Sequence, residues 1–193
     1  MIRKAAIHDV PAISAIVNDC AEYGLMLHRS QSYLYEHVRD FHVCAPDGQV
    51  VGVCGLNIVW ANLAEIYALA VSAPFRGQGL GKQLVGACLQ EARDLEVRRI
   101  MTLTYERAFF EKLGFRIVDR QELPMKVWSE CVRCAKNQAC DEIAMIRVHE
   151  DLPQVKAPPA PQPREYEVPV VLSSSLGNSG GSAIRRPKMD EPR

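Results

Sequence analysis

The chain has 193 residues, with 23 Lys or Arg balanced by 23 Asp or Glu for a formal net charge of zero. That length suffices for one domain with its own hydrophobic core, and the charge balance gives no electrostatic reason to expect nucleic acid or an anionic membrane surface as a partner. No apolar stretch approaches the about twenty residues of a membrane span, and Met1-Ile2-Arg3-Lys4 offers no apolar core for a signal peptide; the expectation is a cytoplasmic protein.

The apolar and turn-forming residues predict elements in this order. Residues 2–7 read as a strand. Asp9 and Pro11 open a helix to about Cys20, an acidic N-cap followed by proline in the first turn, and Gly24 ends that region. Ser30 caps a second helix through Arg39. Strands at 41–45 and 50–60 flank the hairpin signal Pro46-Asp47-Gly48, and 65–71 is the next strand. A helix over 79–95 places Leu80, Leu84, Val85, Cys88, Leu89 and Ala92 on one face. Residues 99–104 form a strand, 107–113 a short helix ended by Gly114, and 115–119 and 142–148 the last strands. The order is β-α-α-β-β-β-α-β-α-β-β.

Composition shifts near Glu150: eight of the twelve prolines lie beyond it, and 173–193 is rich in Ser, Gly and charge. Residues 1–150 are read as the domain and 151–193 as an extended, disordered tail. Seven cysteines is an odd number for a disulfide framework. Cys20, Cys44, Cys54 and Cys88 fall in apolar periodic segments and read as small buried hydrophobes. Cys131, Cys134 and Cys140 have a spacing that could give three thiolates to a structural zinc, with His42 or His149 as candidates for a fourth ligand; the alternative is a set of reduced or redox-sensitive thiols in a loop, and no metal is required by the chemistry below.

The most informative run is Arg76-Gly77-Gln78-Gly79-Leu80-Gly81, between the strand ending at Val71 and the long helix. Glycines leave backbone N–H groups unshielded and permit a tight turn. N–H groups converging on a helix N-terminus make an anion site suited to a pyrophosphate. The run lacks the Lys-Ser/Thr ending of a P-loop and does not match G-x-G-x-x-G.

In its context, residues 68–84 together with Phe109-Phe110-Glu111-Lys112-Leu113-Gly114-Phe115 resemble the two signatures of the GNAT N-acetyltransferases. The resemblance implies an α/β (α+β) fold, a mixed central sheet flanked by helices, and acetyl-CoA as cosubstrate. It assigns the thioester to the backbone of Leu69, Ala70 and Val71 at a bulge that splays two strands. It assigns the pyrophosphate to Arg76, Gly77, Gln78, Gly79, Leu80, Gly81 and Lys82, and a packing contact on the coenzyme to Phe110. Glu65 is the candidate base for the acceptor ammonium. The tyrosine that many family members carry near Phe109-Phe110 is missing, which leaves Thr104, Tyr105 or water to protonate the thiolate.

Segments 25–30, 63–66, 102–104 and 122–124 further resemble the acetyltransferase domain of N-acetylglutamate synthases, in the short form without a kinase-like domain. That resemblance implies acetylation of the α-amino group of L-glutamate, the first step of arginine biosynthesis. A dicarboxylate acceptor needs fixed cations; Arg29 suits one carboxylate and Lys126 or Arg133 the other. The alternatives are another amino acid, a polyamine or a protein amine as acceptor, or a non-catalytic acetyl-CoA sensor. The expected partners are small molecules, with no nucleic acid and no membrane; a homodimer is compatible with this reading.

Overall fold

The computed structural model describes residues 1–124, 134, 136 and 139–154. The described residues hold seven strands, β1 (Ile2–Lys4), β2 (Phe41–Cys44), β3 (Gly52–Trp60), β4 (Leu63–Val71), β5 (Arg99–Thr104), β6 (Arg116–Ile117) and β7 (Ile143–Val148). They hold four α-helices, α1 (Val10–Glu22), α2 (Gln31–Glu36), α3 (Leu80–Asp94) and α4 (Arg107–Glu111). The strands form one mixed sheet in the order β1-β2-β3-β4-β5-β7-β6. All neighbours are antiparallel except β4 and β5.

Each face of the sheet is sealed by a helix whose apolar stripe matches the strands beneath it. Leu84, Val85, Cys88, Leu89 and Ala92 of α3 pack on Cys54, Leu56, Ala64 and Ile66. Val10, Ile13, Val17 and Cys20 of α1, with Leu34 of α2, pack on Val43, Val53 and Ala70. Apolar burial on both faces is the main stabilising term for such a layered domain. All four cysteines expected inside are buried.

One device in β4 breaks the strand alternation. Val53 pairs with Ala70 and Gly55 with Tyr67, so Ala68 and Leu69 together oppose Cys54, and Ala68 adopts φ +50°. This is a β-bulge. Before it, Ala64 and Ile66 face α3; after it, Leu69 and Val71 face α3 while Ala70 faces α1.

Three predicted elements fall short of their expected span by three residues each. The first strand ends at Lys4 because Asp9 draws the chain into a 3₁₀ turn at Ile7–Asp9. The Asp9 carboxylate accepts from Arg3 at 2.6 and 2.8 Å and from the Ala6 N–H at 2.7 Å, and makes no capping bond to α1. The second helix begins as predicted, with Ser30 Oγ accepting from the Tyr33 N–H at 3.1 Å. It ends at Glu36, where His37 stacks on Tyr33 and bonds Asp40, and the chain continues as a 3₁₀ turn, Val38–Asp40. The strand expected at 115–119 is reduced to Arg116–Ile117, flanked by buried Phe115 and Val118.

Asp151 and Leu152, the first residues of the expected tail, are held to the body of the domain. Asp151 pairs with Arg93, and the Leu152 carbonyl accepts from Arg98. No described helix is long and apolar enough to cross a membrane.

Candidate active site

The parallel pairing of β4 with β5 is confined to Leu63↔Arg99, Ala64↔Ile100 and Glu65↔Met101. β5 then follows β7 to its end, Thr104↔Ile143, while β4 runs on through the bulge to Val71. A parallel ladder evenly shares its N–H and C=O groups between neighbours, so the stretch after Glu65 presents backbone polar groups toward the widening gap. The gap opens into a cavity of about 1590 Å³ lined by residues of both strands, the loop after α1, the glycine run and α4.

At one end of the cavity lies the glycine run. Gly77 and Gly79 both have φ +79°, and a Cβ on either would meet nothing within 4 Å. Their glycines are therefore explained by left-handed backbone and not by crowding. Gly79 is the N-cap of α3, and the first bond of the helix runs from the Gln83 N–H to the Gly79 carbonyl. The N–H groups of Leu80, Gly81 and Lys82 precede that bond and have no intrahelical acceptor. The positive end of the α3 dipole is in the same place. Arg76 braces the run from behind: its Nε donates to the Val71 carbonyl at 2.9 Å, and its guanidinium reaches Cys20 Sγ at 3.8 Å. Burial pushes the Cys20 thiol up, and the Arg76 charge partly offsets this.

The α4 aromatics divide between core and cavity. Phe110 is buried, edge-on to both Phe109 and Phe115. Phe109 is half-buried and stands 3.6 Å from where a Gly81 Cβ would lie. Both reach the cavity wall.

Glu65 and Arg29 line the same cavity as the glycine run. Glu65 is half-buried at the last position where β4 pairs with β5. The Arg29 main chain is clamped by Asn18, which accepts from the Arg29 N–H at 2.9 Å and donates to its carbonyl at 3.0 Å. Its guanidinium lies 4.4 Å from the ring centroid of Tyr33 and 5.9 Å from that of Tyr67, positions that favour a cation over an aromatic face. Tyr67 in turn donates to Asp40 Oδ2 at 3.1 Å, and burial together with Asp40 holds its phenol well above the usual range.

At the end of β5, Thr104 is buried and its Oγ1 accepts from the Glu106 N–H at 2.9 Å. Tyr105 is half-buried, and its hydroxyl lies 3.1 Å from Lys136 Nζ. Lys136, Arg120 and Glu142 line this part of the cavity and were not singled out in the sequence. Arg120 donates to the Glu142 carbonyl at 2.6 Å and to Cys140 Sγ at 3.1 Å. Burial raises the Glu142 carboxyl above the ordinary carboxylate range, with Arg120 pulling the other way. Their partners are distant in sequence, and no local motif announces them.

Lys126, Arg133 and Cys131 lie outside the described residues. Cys134 and Cys140 are half-buried at the cavity, and among the described residues no group of three or more His, Cys, Asp or Glu is arranged to hold a metal ion.

Comparison with known proteins adds an independent line. The model of the acetyltransferase (GNAT) family matches residues 11–115. An uncharacterized N-acetyltransferase of Chlorobaculum tepidum is 38% identical over 146 residues, covering 76% of this chain and 94% of its own length. An amino-acid acetyltransferase of Mycobacterium tuberculosis is 37% identical over 136 residues, 69% of this chain and 78% of the relative. Among solved structures, the N-acetylglutamate synthase of Neisseria gonorrhoeae complexed with coenzyme A and N-acetyl-glutamate superposes with a TM-score of 0.70 at 28% identity. That superposition covers 77% of this chain and 34% of the Neisseria chain.

Proposed function

The chain belongs to the GNAT family of acetyltransferases, and on that premise we propose that it transfers the acetyl group of acetyl-CoA to the α-amino group of an amino acid, with L-glutamate as the acceptor. The observation that carries this reading is that one cavity contains both Glu65 and the braced Arg29 guanidinium. A base and a fixed cation in one space suit an acceptor that is both amine and carboxylate. The relatives named amino-acid acetyltransferase and N-acetylglutamate synthase support the same acceptor class. Residues 1–150 are proposed as the catalytic domain and 151–193 as its tail.

In this reading the pyrophosphate of acetyl-CoA rests on the N–H groups at the start of α3, and the pantetheine arm runs along the edge of β4 beyond Glu65. The thioester carbonyl is held by the backbone of Leu69–Val71, where preorganised N–H groups stabilise the oxyanion that forms during attack. Glu65 takes the proton from the acceptor ammonium, directly or through water. Arg29 holds a carboxylate of the acceptor and so orients the nitrogen, converting an encounter into a positioned attack. Thr104 and Tyr105 both line the cavity, and because a phenol is far more acidic than an alcohol, Tyr105 is assigned to protonate the departing thiolate.

The test is release of coenzyme A from acetyl-CoA, measured with each of the twenty amino acids and with spermidine. Selective stimulation by L-glutamate is expected. In Arg29→Ala the KM for glutamate should then rise by roughly 10- to 100-fold, the loss of one charge-assisted contact. Stimulation by spermidine in preference to any amino acid would overturn the acceptor assignment.

A further inference from the structure

Lys136 Nζ lies 3.1 Å from the Tyr105 hydroxyl, 3.3 Å from the Gly24 carbonyl and 3.8 Å from Asp141 Oδ1, with the Tyr105 ring centroid at 4.9 Å. One ammonium thereby connects three parts of the cavity wall: the loop after α1, the end of β5 and the segment leading into β7. These contacts span 112 and 31 residues of sequence. An ammonium has three donors and no acceptor. Two go to Gly24 and Tyr105, and Asp141 opposes the charge, so Lys136 is committed to the wall and is poorly placed to grip a substrate.

The direction of the Tyr105 bond has a chemical consequence. Because Lys136 can only donate, the phenol oxygen must accept, and the phenol's own proton is left to point elsewhere. We infer that Lys136 is a positioning residue that holds Tyr105 at the cavity wall as the acid of the reaction and stabilises the tyrosinate once the proton has gone. This rests on the acetyl-transfer reading above. In the step, the acceptor nitrogen attacks the thioester carbon. The C–N bond forms from the nitrogen lone pair, and the C–S bond breaks with its pair going to sulfur. Glu65, having passed the ammonium proton to solvent, takes the nitrogen's second proton, and the sulfur takes the proton of Tyr105. The tyrosinate, facing the Lys136 ammonium, is reprotonated from solvent.

The charges around Tyr105 are consistent with such a device. Burial, hydrogen bonding to Asp141 and the Glu142 and Asp141 charges raise its phenol, while hydrogen bonding to Lys136 lowers it. Tyr105 thus keeps its proton until sulfur demands it, and Lys136 is the one of these groups that eases its release.

The experiment compares wild type, Tyr105→Phe, Lys136→Met, the double variant and Lys136→Arg, using whichever acceptor the wild type turns over. Tyr105→Phe should lower kcat about 100-fold and Lys136→Met about tenfold, the scale of acid catalysis, with KM for acetyl-CoA unchanged. The double variant should be no slower than Tyr105→Phe alone, since coupled residues do not add, and Lys136→Arg should recover most of the rate. A Lys136→Met penalty that persists undiminished in the Tyr105→Phe background overturns the inference, as does an unchanged kcat in Tyr105→Phe. Wild-type turnover with an acceptor other than glutamate counts against the acceptor assignment alone. In parallel, an NMR titration with ¹³C-labelled tyrosine reads the Tyr105 phenol without turnover. Its pKa should move up in Lys136→Met, and an unmoved value overturns the inference independently of any activity.

Discussion

The ring of Tyr67 occupies the place where a Cβ on Gly55 would stand. The two residues pair across β3 and β4 beside the bulge, and a Cβ built on Gly55 would meet ring carbons of Tyr67 at 2.4, 2.7 and 2.9 Å. The absent side chain of one residue thus lets the ring of the other lie against the sheet, where it also faces Arg29 and bonds Asp40.

Gly55→Ala should therefore displace the Tyr67 ring. Overpacking of this kind costs about 1–3 kcal/mol, measurable as a lower urea midpoint. Because the ring lies beside Arg29, KM for the acceptor should rise as well. Gly55→Ala combined with Tyr67→Ala should be less than additive, since the second change removes the clashing atoms.

The glycine that caps α3 and one inside the helix should respond in opposite ways to the same substitution. Gly79→Ala forces a Cβ into left-handed backbone and should cost about 1–2 kcal/mol, with a higher KM for acetyl-CoA. Gly86 is exposed inside the helix, and a Cβ there would meet nothing within 4 Å. Gly86→Ala should stabilise the domain by about 0.5–1 kcal/mol with kinetics unchanged. Chemical denaturation of both variants checks the contrast.

Glu65→Gln keeps the shape of the side chain and removes its basicity. Acetyl-CoA should bind with unaltered affinity while kcat falls by about 10²- to 10⁴-fold near neutral pH. Calorimetric titration beside steady-state kinetics separates the two effects, and an unchanged kcat would exclude Glu65 from the mechanism.

Asp9 should make the fold sensitive to acid. It is 2% exposed, and its hydrogen bond from Arg3 holds its carboxyl below the usual carboxylate range. A pKa depressed by folding stabilises the protein above the unfolded value of about 3.9. That stabilisation is lost as pH falls through the folded value. Asp9→Asn should lower stability by about 1–3 kcal/mol at neutral pH, with part of the ion pair's worth discounted for the exposure of Arg3. The difference from wild type should shrink as the pH is lowered toward 3, as read from denaturation midpoints across the range.

Local chemistry made much of this molecule legible in advance. β5 matches its predicted span because Arg99–Thr104 is a short apolar run between turn signals, and Ser30 caps the helix it was expected to cap. The glycine run sits at the head of α3 because left-handed backbone needs glycine and leaves that trace in the sequence. The bulge left no such trace at its own position. Its left-handed residue is Ala68, and in a run of Ala, Leu and Val either face of the strand reads as apolar, so the reversal of sides at Ala68 is invisible to alternation. Asp9 read as a helix cap because the competing partner, Arg3, becomes available only when the chain folds back. Lys136 could not be read at all, since its position depends on Gly24 and Tyr105, far away in the chain.

The three-residue pairing of β4 with β5 has one further consequence, for size. The strands are joined at Glu65 and part beyond it, and β4 continues for six residues, about 20 Å of extended chain, before the chain turns toward the glycine run. The joined end and the glycine run are thus held apart at a set interval, and the sheet acts as a ruler. A linear guest must match that interval to be gripped at its charged head and presented at its reactive tip. Under the proposed acetyl-CoA site, a nucleotide alone would reach only the first mark and a bare thioester only the second.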